Sequence, residues 1–287
     1  MKIILAEHYG LCFGVRDAIA GAEQRALEGP LTILGELVHN PVVRERLAQR
    51  GVRQGALDDF QSATPQVMIT AHGASDRKRS EWRAAGFGVA DGTCPLVKHA
   101  HDQLRLLVEL GYFPVVIGKP GHVEVEGLIG DFPGACVIED ESDLPRLPEC
   151  ARYGVISQTT QPLEKVLALV EAIRRAHPAS EVRFTDTVCQ PTKSRQSALR
   201  KLIAECDTIV VVGGYNSNNT LQLVAAATVA GLRVFHIERP DELEPAMFDC
   251  SEIIGITAGT STLKETVAAV HERLTGFALL SATIQRA

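Results

Sequence analysis

The chain has 287 residues, 45% of them apolar and 22% charged, with a formal net charge of −6. This composition excludes a disordered, collagenous or coiled-coil chain, and the length fits about two domains with an ordinary core. The acidic balance speaks against nucleic acid as a main partner, while a local pocket can still take a phosphorylated small molecule.

Between Lys2 and Glu7 the first residues hold a run of only four apolar side chains, Ile3 to Ala6, too few for a signal-peptide core. Strands are expected in chain order at Lys2–Ala6, Leu31–Gly35, Gln66–Thr70, Phe87–Ala90, Phe113–Ile117, Cys136–Ile138, Tyr153–Ser157, Arg183–Thr185, Thr208–Val212, Arg233–Ile237 and Glu252–Thr257. Unbroken apolar runs such as Ile209 to Val212 suit strands covered on both faces. Helical periods lie between them. From Leu96 the apolar positions are Val97, Ala100, Leu104, Leu107 and Val108; from Leu163 they are Val166, Leu167, Val170 and Ile173, with Pro162 at the tolerant first turn. Leu221 to Leu232 is interrupted by Gln222 and Thr228 and is too short to span a bilayer. Thr262-x-x-Glu265 reads as a capping box for the last helix. Alternation of strands and helices predicts an α/β fold with mostly parallel sheets, and the chain reads as soluble and cytoplasmic, with no membrane partner.

Polar residues cluster just past the strand ends, where open α/β sheets place ligand sites. They echo through three thirds of the chain. The first offers His39, His72 and Cys94; the second His122, Thr159-Thr160 and Cys189; the third Asn216 to Asn219 and Ser261. The third ends without a cysteine, and Cys12 after the first strand could supply one.

Seven cysteines without an export signal argue against a disulfide framework, and no CxxC is present. Buried structural thiols, a catalytic thiol and metal ligands remain open. Cys12, Cys94 and Cys189 stand in Gly- or Pro-flanked turns that would suit iron–sulfur ligation; Cys136, Cys150, Cys206 and Cys250 read as structural. Three thiolates on a four-iron cube would leave one iron to act as a Lewis acid. His39, His72 and His122 could bind phosphate oxygens beside helix N-termini. If a helix starts after His122, Glu124 lies in its first turn near Thr159, and a closed pocket could hold its carboxyl protonated. GxGxxG, GxxxxGK[ST] and HExxH are absent, so a redox enzyme here would take its electrons from another protein.

These stretches resemble the 4-hydroxy-3-methylbut-2-enyl diphosphate reductase family. The likeness runs through Gly10-Leu11-Cys12-Phe13-Gly14-Val15, Val38-His39-Asn40-Pro41, Ala71-His72-Gly73, Asp91-Gly92-Thr93-Cys94-Pro95 and Gly121-His122-Val123-Glu124. It continues with Ser157-Gln158-Thr159-Thr160, Asp186-Thr187-Val188-Cys189, Asn216-Ser217-Asn218-Asn219-Thr220 and Ala258-Gly259-Thr260-Ser261. The resemblance implies three pseudo-repeated α/β lobes in a trefoil around a central 4Fe-4S cluster. The lobes would be residues 13–95, 96–189 and 190–280, with the Met1–Cys12 strand contributing to the centre. It implies Cys12, Cys94 and Cys189 as cluster ligands. His39, His72, His122, Ser217, Asn219 and Ser261 would bind the diphosphate of an allylic substrate. Glu124, Thr159 and His122 would form the catalytic group, and a ferredoxin or flavodoxin would donate electrons. The reaction implied is reductive dehydroxylation to isopentenyl and dimethylallyl diphosphates, the last step of the methylerythritol phosphate pathway. Val123 stands where the family usually has Pro, and Gly92 where Ala is usual.

Overall fold

The computed structural model describes residues 1–249 and 251–284. Its strands are β1 (Lys2–Leu5), β2 (Leu31–Leu34), β3 (Arg53–Gly55), β4 (Gln66–Ile69), β5 (Gly88–Asp91), β6 (Phe113–Ile117), β7 (Cys136–Ile138), β8 (Arg152–Ser157), β9 (Glu181–Phe184), β10 (Thr208–Val212), β11 (Arg233–Ile237) and β12 (Ile253–Ala258). They form three four-stranded sheets, ordered β3-β2-β4-β5, β7-β6-β8-β9 and β11-β10-β12-β1. Every pairing is parallel. The α/β architecture with parallel sheets is therefore as expected, and the three sheets share one strand order.

The third sheet completes that order with the chain's first strand. β1 pairs with β12 from Lys2↔Ile253 to Leu5↔Ile256, so the N-terminus takes the edge that β5 and β9 take in the other two. By internal contacts the chain forms two compact units. One holds Met1–Cys12, His39–Pro41 and the chain from Gln190 on, with the β1-containing sheet; the other holds Phe13–Val38 and Val42–Cys189, with the other two sheets.

Residue type explains the elements. Thr208 to Val212 are all buried, as a β-branched central strand must be when helices cover both faces. The helices are α1 (Phe13–Glu28), α2 (Pro41–Gln49), α3 (Asp76–Ala84), α4 (Pro95–Glu109), α5 (Val123–Ile129), α6 (Leu163–Ala176), α7 (Gln190–Glu205), α8 (Asn218–Val229) and α9 (Lys264–Ile284). In α4 the buried side chains are Val97, Ala100, His101, Leu104 and Leu107, a stripe at helical period against β6 and β8. No helix among the described residues is long and apolar enough to cross a membrane.

Three local expectations differ. β3 escapes the sequence pattern because Arg-Gln-Gly carries no apolar residue; it is a three-residue edge held only by β2. Pro162 precedes α6 as its cap residue rather than opening its first turn. The Thr262 hydroxyl does not cap α9 but donates to the Val212 carbonyl, 2.9 Å away. A buried carbonyl at the end of β10 outcompetes a helix end for that donor. Cys136 is buried, Cys150 and Cys206 are partly exposed, and Cys250 lies outside the described residues.

Candidate active site

Each of the three cysteines singled out by the sequence directly precedes a helix: Cys12 before α1, Cys94 before α4 and Cys189 before α7. Each follows an edge strand, β1, β5 or β9. Each is also tied by its own amide. Cys12 donates to the Thr260 carbonyl (3.0 Å), Cys94 to Ala71 (3.0 Å) and Cys189 to Thr159 (2.9 Å). The acceptor always lies two residues past the neighbouring strand, which is β12, β4 or β8. One backbone device thus recurs in all three sheets. The position is chemically meaningful, because a helix start gathers backbone N–H groups and the positive end of the helix dipole at the sulfur-bearing residue. All three sulfur-bearing residues are partly exposed.

Cys94 is packed more tightly than its sequence suggests. A Cβ placed on Gly14, in the first turn of α1, would fall far inside van der Waals contact with Cys94 Sγ and 3.3 Å from its Cβ. Glycine at that position opens the space the sulfur occupies. On its other side Thr93 is held by an Asx-type turn, its amide donating to Asp91 Oδ1 at 3.0 Å. The buried Arg79 guanidinium donates to the Thr93 hydroxyl, also at 3.0 Å.

In the same unit α5 starts at Val123, with His122 as its cap. His122 Nδ1 accepts from the Glu124 amide at 3.1 Å, so the neutral ring carries its proton on Nε2, a donor suited to an anion. The His72 and His122 rings meet edge to face with centroids 5.6 Å apart. His72 is set by the turn that ends in Gly73, at φ +80°, where a Cβ would lie 3.0 Å from Thr93 Cγ2. Two of the histidines expected to hold phosphate therefore share one place.

Glu124 is 2% exposed. Its Oε1 accepts the Thr159 amide at 2.6 Å and its Oε2 the Thr159 hydroxyl at 3.0 Å. Burial penalises the charged carboxylate and outweighs those two bonds, raising the pKa from 4.5 to about 7. The carboxyl group is thus poised to hold and release a proton near neutrality. The Thr159 hydroxyl can rotate to accept from the protonated acid, so the pair forms a short relay.

That raised pKa has a thermodynamic consequence with a definite sign. Between pH 4.5 and 7 the folded state binds more protons at this site than the unfolded state, so stability falls as pH rises through the window. The full effect is about 3 kcal/mol. His101 acts oppositely: burial and then Arg79 lower its pKa from 6.5 to about 4, so its contribution rises with pH over that lower range. The Glu124→Gln variant isolates the first effect. Its melting temperature relative to the parent is expected to be near equal at pH 4.5 and to climb until about pH 7, as calorimetry across pH would record.

The other unit holds the remaining expected residues. The Ser261 hydroxyl donates to the His39 carbonyl at 3.2 Å, and Asn40 Nδ2 donates to the Ser261 carbonyl at 2.6 Å. Ser217 caps α8, accepting from the Thr220 amide at 3.4 Å. Asn219 Oδ1 accepts the Thr260 amide at 3.0 Å, and its Nδ2 reaches Thr192 Oγ1 at 3.5 Å. The side chains of Ser217, Asn219 and Ser261 are buried; Asn219 and Ser261 brace the loop that follows β12, while Ser217 caps α8. Among the described residues no three His, Cys, Asp or Glu side chains close around a single metal ion.

Sequence reasoning read Gly14 only as a flank of the Cys12 turn, not as a neighbour of Cys94, and overlooked Arg79 and Arg195, which act on the cysteine turns from distant parts of the chain. Arg195 donates to the Gly10 and Pro191 carbonyls. A lone glycine or arginine carries no local period that announces such a contact.

A family model described as LytB protein matches residues 3–275. The 4-hydroxy-3-methylbut-2-enyl diphosphate reductase of Geotalea daltonii is 36% identical over 281 residues, spanning 97% of this chain and 98% of that protein. The structure is similar to that of the E-1-hydroxy-2-methyl-but-2-enyl-4-diphosphate reductase from Plasmodium falciparum, with a TM-score of 0.88 and 25% identity over 96% of this chain and 88% of that one. A solved (E)-4-hydroxy-3-methyl-but-2-enyl diphosphate reductase, titled the terminal enzyme of the non-mevalonate pathway, is 34% identical with a TM-score of 0.68, covering 96% of this chain and all of its own.

Proposed function

This chain belongs to the LytB family, and on that footing we propose that it reduces (E)-4-hydroxy-3-methylbut-2-enyl diphosphate to isopentenyl and dimethylallyl diphosphates. The observation that carries the reading is the repeated cysteine device: a thiol before a helix, its amide bound to the carbonyl two residues past the neighbouring strand. One such device closes each proposed lobe, residues 13–95, 96–189 and 190–280 with the Met1–Cys12 strand.

The donor set fits a 4Fe-4S cluster held by Cys12, Cys94 and Cys189. Three thiols at helix starts are the donor type such a cluster takes, and the glycine at position 14 leaves room for one of the sulfurs. When bound, such a cluster supplies electrons and a Lewis-acidic corner toward the allylic oxygen.

The chain's own residues do the rest. His72, His122 and His39, with Ser217, Asn219 and Ser261, bind the diphosphate; the Glu124 amide donates to Nδ1 of His122, so the neutral ring carries its donor proton on Nε2. Anchoring that end positions the distant hydroxyl and converts part of the barrier into binding. Hydroxide is a poor leaving group, and Glu124, with Thr159, supplies the proton that lets it depart as water. Two electrons turn the allyl unit left by that departure into an allyl anion equivalent, and a second proton, taken at either end, accounts for two products. Electrons come from a ferredoxin or flavodoxin, and the reduced thiols suit the cytoplasm.

The test is anaerobic purification followed by turnover with the allylic diphosphate and a chemical reductant. A brown, iron-bearing protein that forms both isomeric products is expected. A colourless protein that takes up no iron on reconstitution would overturn the reading.

A further inference from the structure

Of the three cysteine-bearing segments, the one carrying Cys12 is the least constrained by regular structure. From β1 to α1 the chain runs from Leu5 to Phe13, against Asp91 to Pro95 and Phe184 to Gln190 in the other two. β1 is an edge strand paired with β12, as β5 and β9 are edge strands of their own sheets. Arg195 meets this weak point. It lies in α7, the helix that starts directly after Cys189, and it is 6% exposed. Its Nη1 donates to the Pro191 carbonyl at 2.8 Å and its Nη2 to the Gly10 carbonyl. Gly10 is two residues before Cys12, and Pro191 two residues after Cys189. Gly10 is buried, and its amide is already used on the Ala258 carbonyl at 3.3 Å.

We propose that Arg195 is a positioning residue that clamps the Cys12 arm to the start of α7, fixing the segments on which two of the three thiols depend. The inference rests on the proposed role of Cys12 and Cys189 as ligands. Its physical basis is the guanidinium fork: one rigid, permanently charged plane can serve two carbonyls at once, which a lysine ammonium on a flexible stem does poorly. Without the fork the buried Gly10 carbonyl loses its charged donor, and the arm keeps its amide bonds to Ala258 and Thr260 and the Lys201–Glu7 ion pair but no charged tie to α7 beside Cys12.

The test compares the full chain with Arg195→Met and Arg195→Lys by native-state amide exchange, with bound iron measured in parallel. In Arg195→Met, amides of residues 6–12 are expected to exchange faster by about tenfold or more, while residues 92–97 keep the parent rate. Arg195→Lys should fall between, and iron retention should decline in the same order. An unchanged rate at residues 6–12 overturns the proposal. So does equal acceleration at residues 92–97, because that marks general loosening. If Arg195→Met does not fold, Arg195→Lys alone decides by the same two segments. Faster exchange in a chain that never binds iron would uphold the clamp and defeat the ligand reading, so the two failures are separable.

Discussion

Replacing Glu124 with Gln is expected to lower kcat by about 10²–10⁴ with little change in KM and no loss of bound iron. The substitution is close to a pure removal of the proton. The new amide oxygen can accept from the Thr159 amide, and the new NH₂ can donate to the Thr159 hydroxyl, so both existing contacts persist with the hydroxyl rotated. The parent's kcat should also fall as pH rises past about 7, where Glu124 loses its proton, whereas the variant's residual rate should be flat across that range. Steady-state kinetics from pH 6 to pH 9 check both statements. Retention of kcat within a small factor would remove Glu124 from the reaction.

The second large effect is expected at a residue with no functional group. Gly14→Ala should reduce bound iron, and turnover with it, by about tenfold or more, because the new methyl group competes with Cys94 Sγ for one space. The backbone itself has no objection. Gly14 is helical, and alanine favours a helix over glycine by about 1 kcal/mol. Gly276→Ala in α9 is the control, since a Cβ there meets nothing within 4 Å. Iron analysis and thermal melts of both variants separate the cases: the control keeps its iron, and Gly14→Ala loses iron without a matching loss of secondary structure. Full iron occupancy in Gly14→Ala would show that the sulfur has room to move.

Much of this site was legible in the residue order. The cysteines lie in turns because Gly and Pro flank them, and those turns follow β-branched runs that must be strands. Glu124 next to Thr159 followed from placing a helix start after His122. The missed strand β3 shows the limit from the other direction. Arg53 and Gln54 are exposed and form a strand only because the edge of β2 offers backbone partners.

The order of residues by itself determined the α/β class, eleven of the strands and the polar stations beyond their ends, since burial on two faces and helical period leave local marks. Only the tertiary structure decided that Gly14 makes room for Cys94, that Arg195 reaches Gly10 across 185 positions, and that burial lifts the Glu124 carboxyl toward neutrality. Those are matters of close approach and lost solvent. They depend on what the fold brings alongside a residue, and no pattern among its sequence neighbours encodes them.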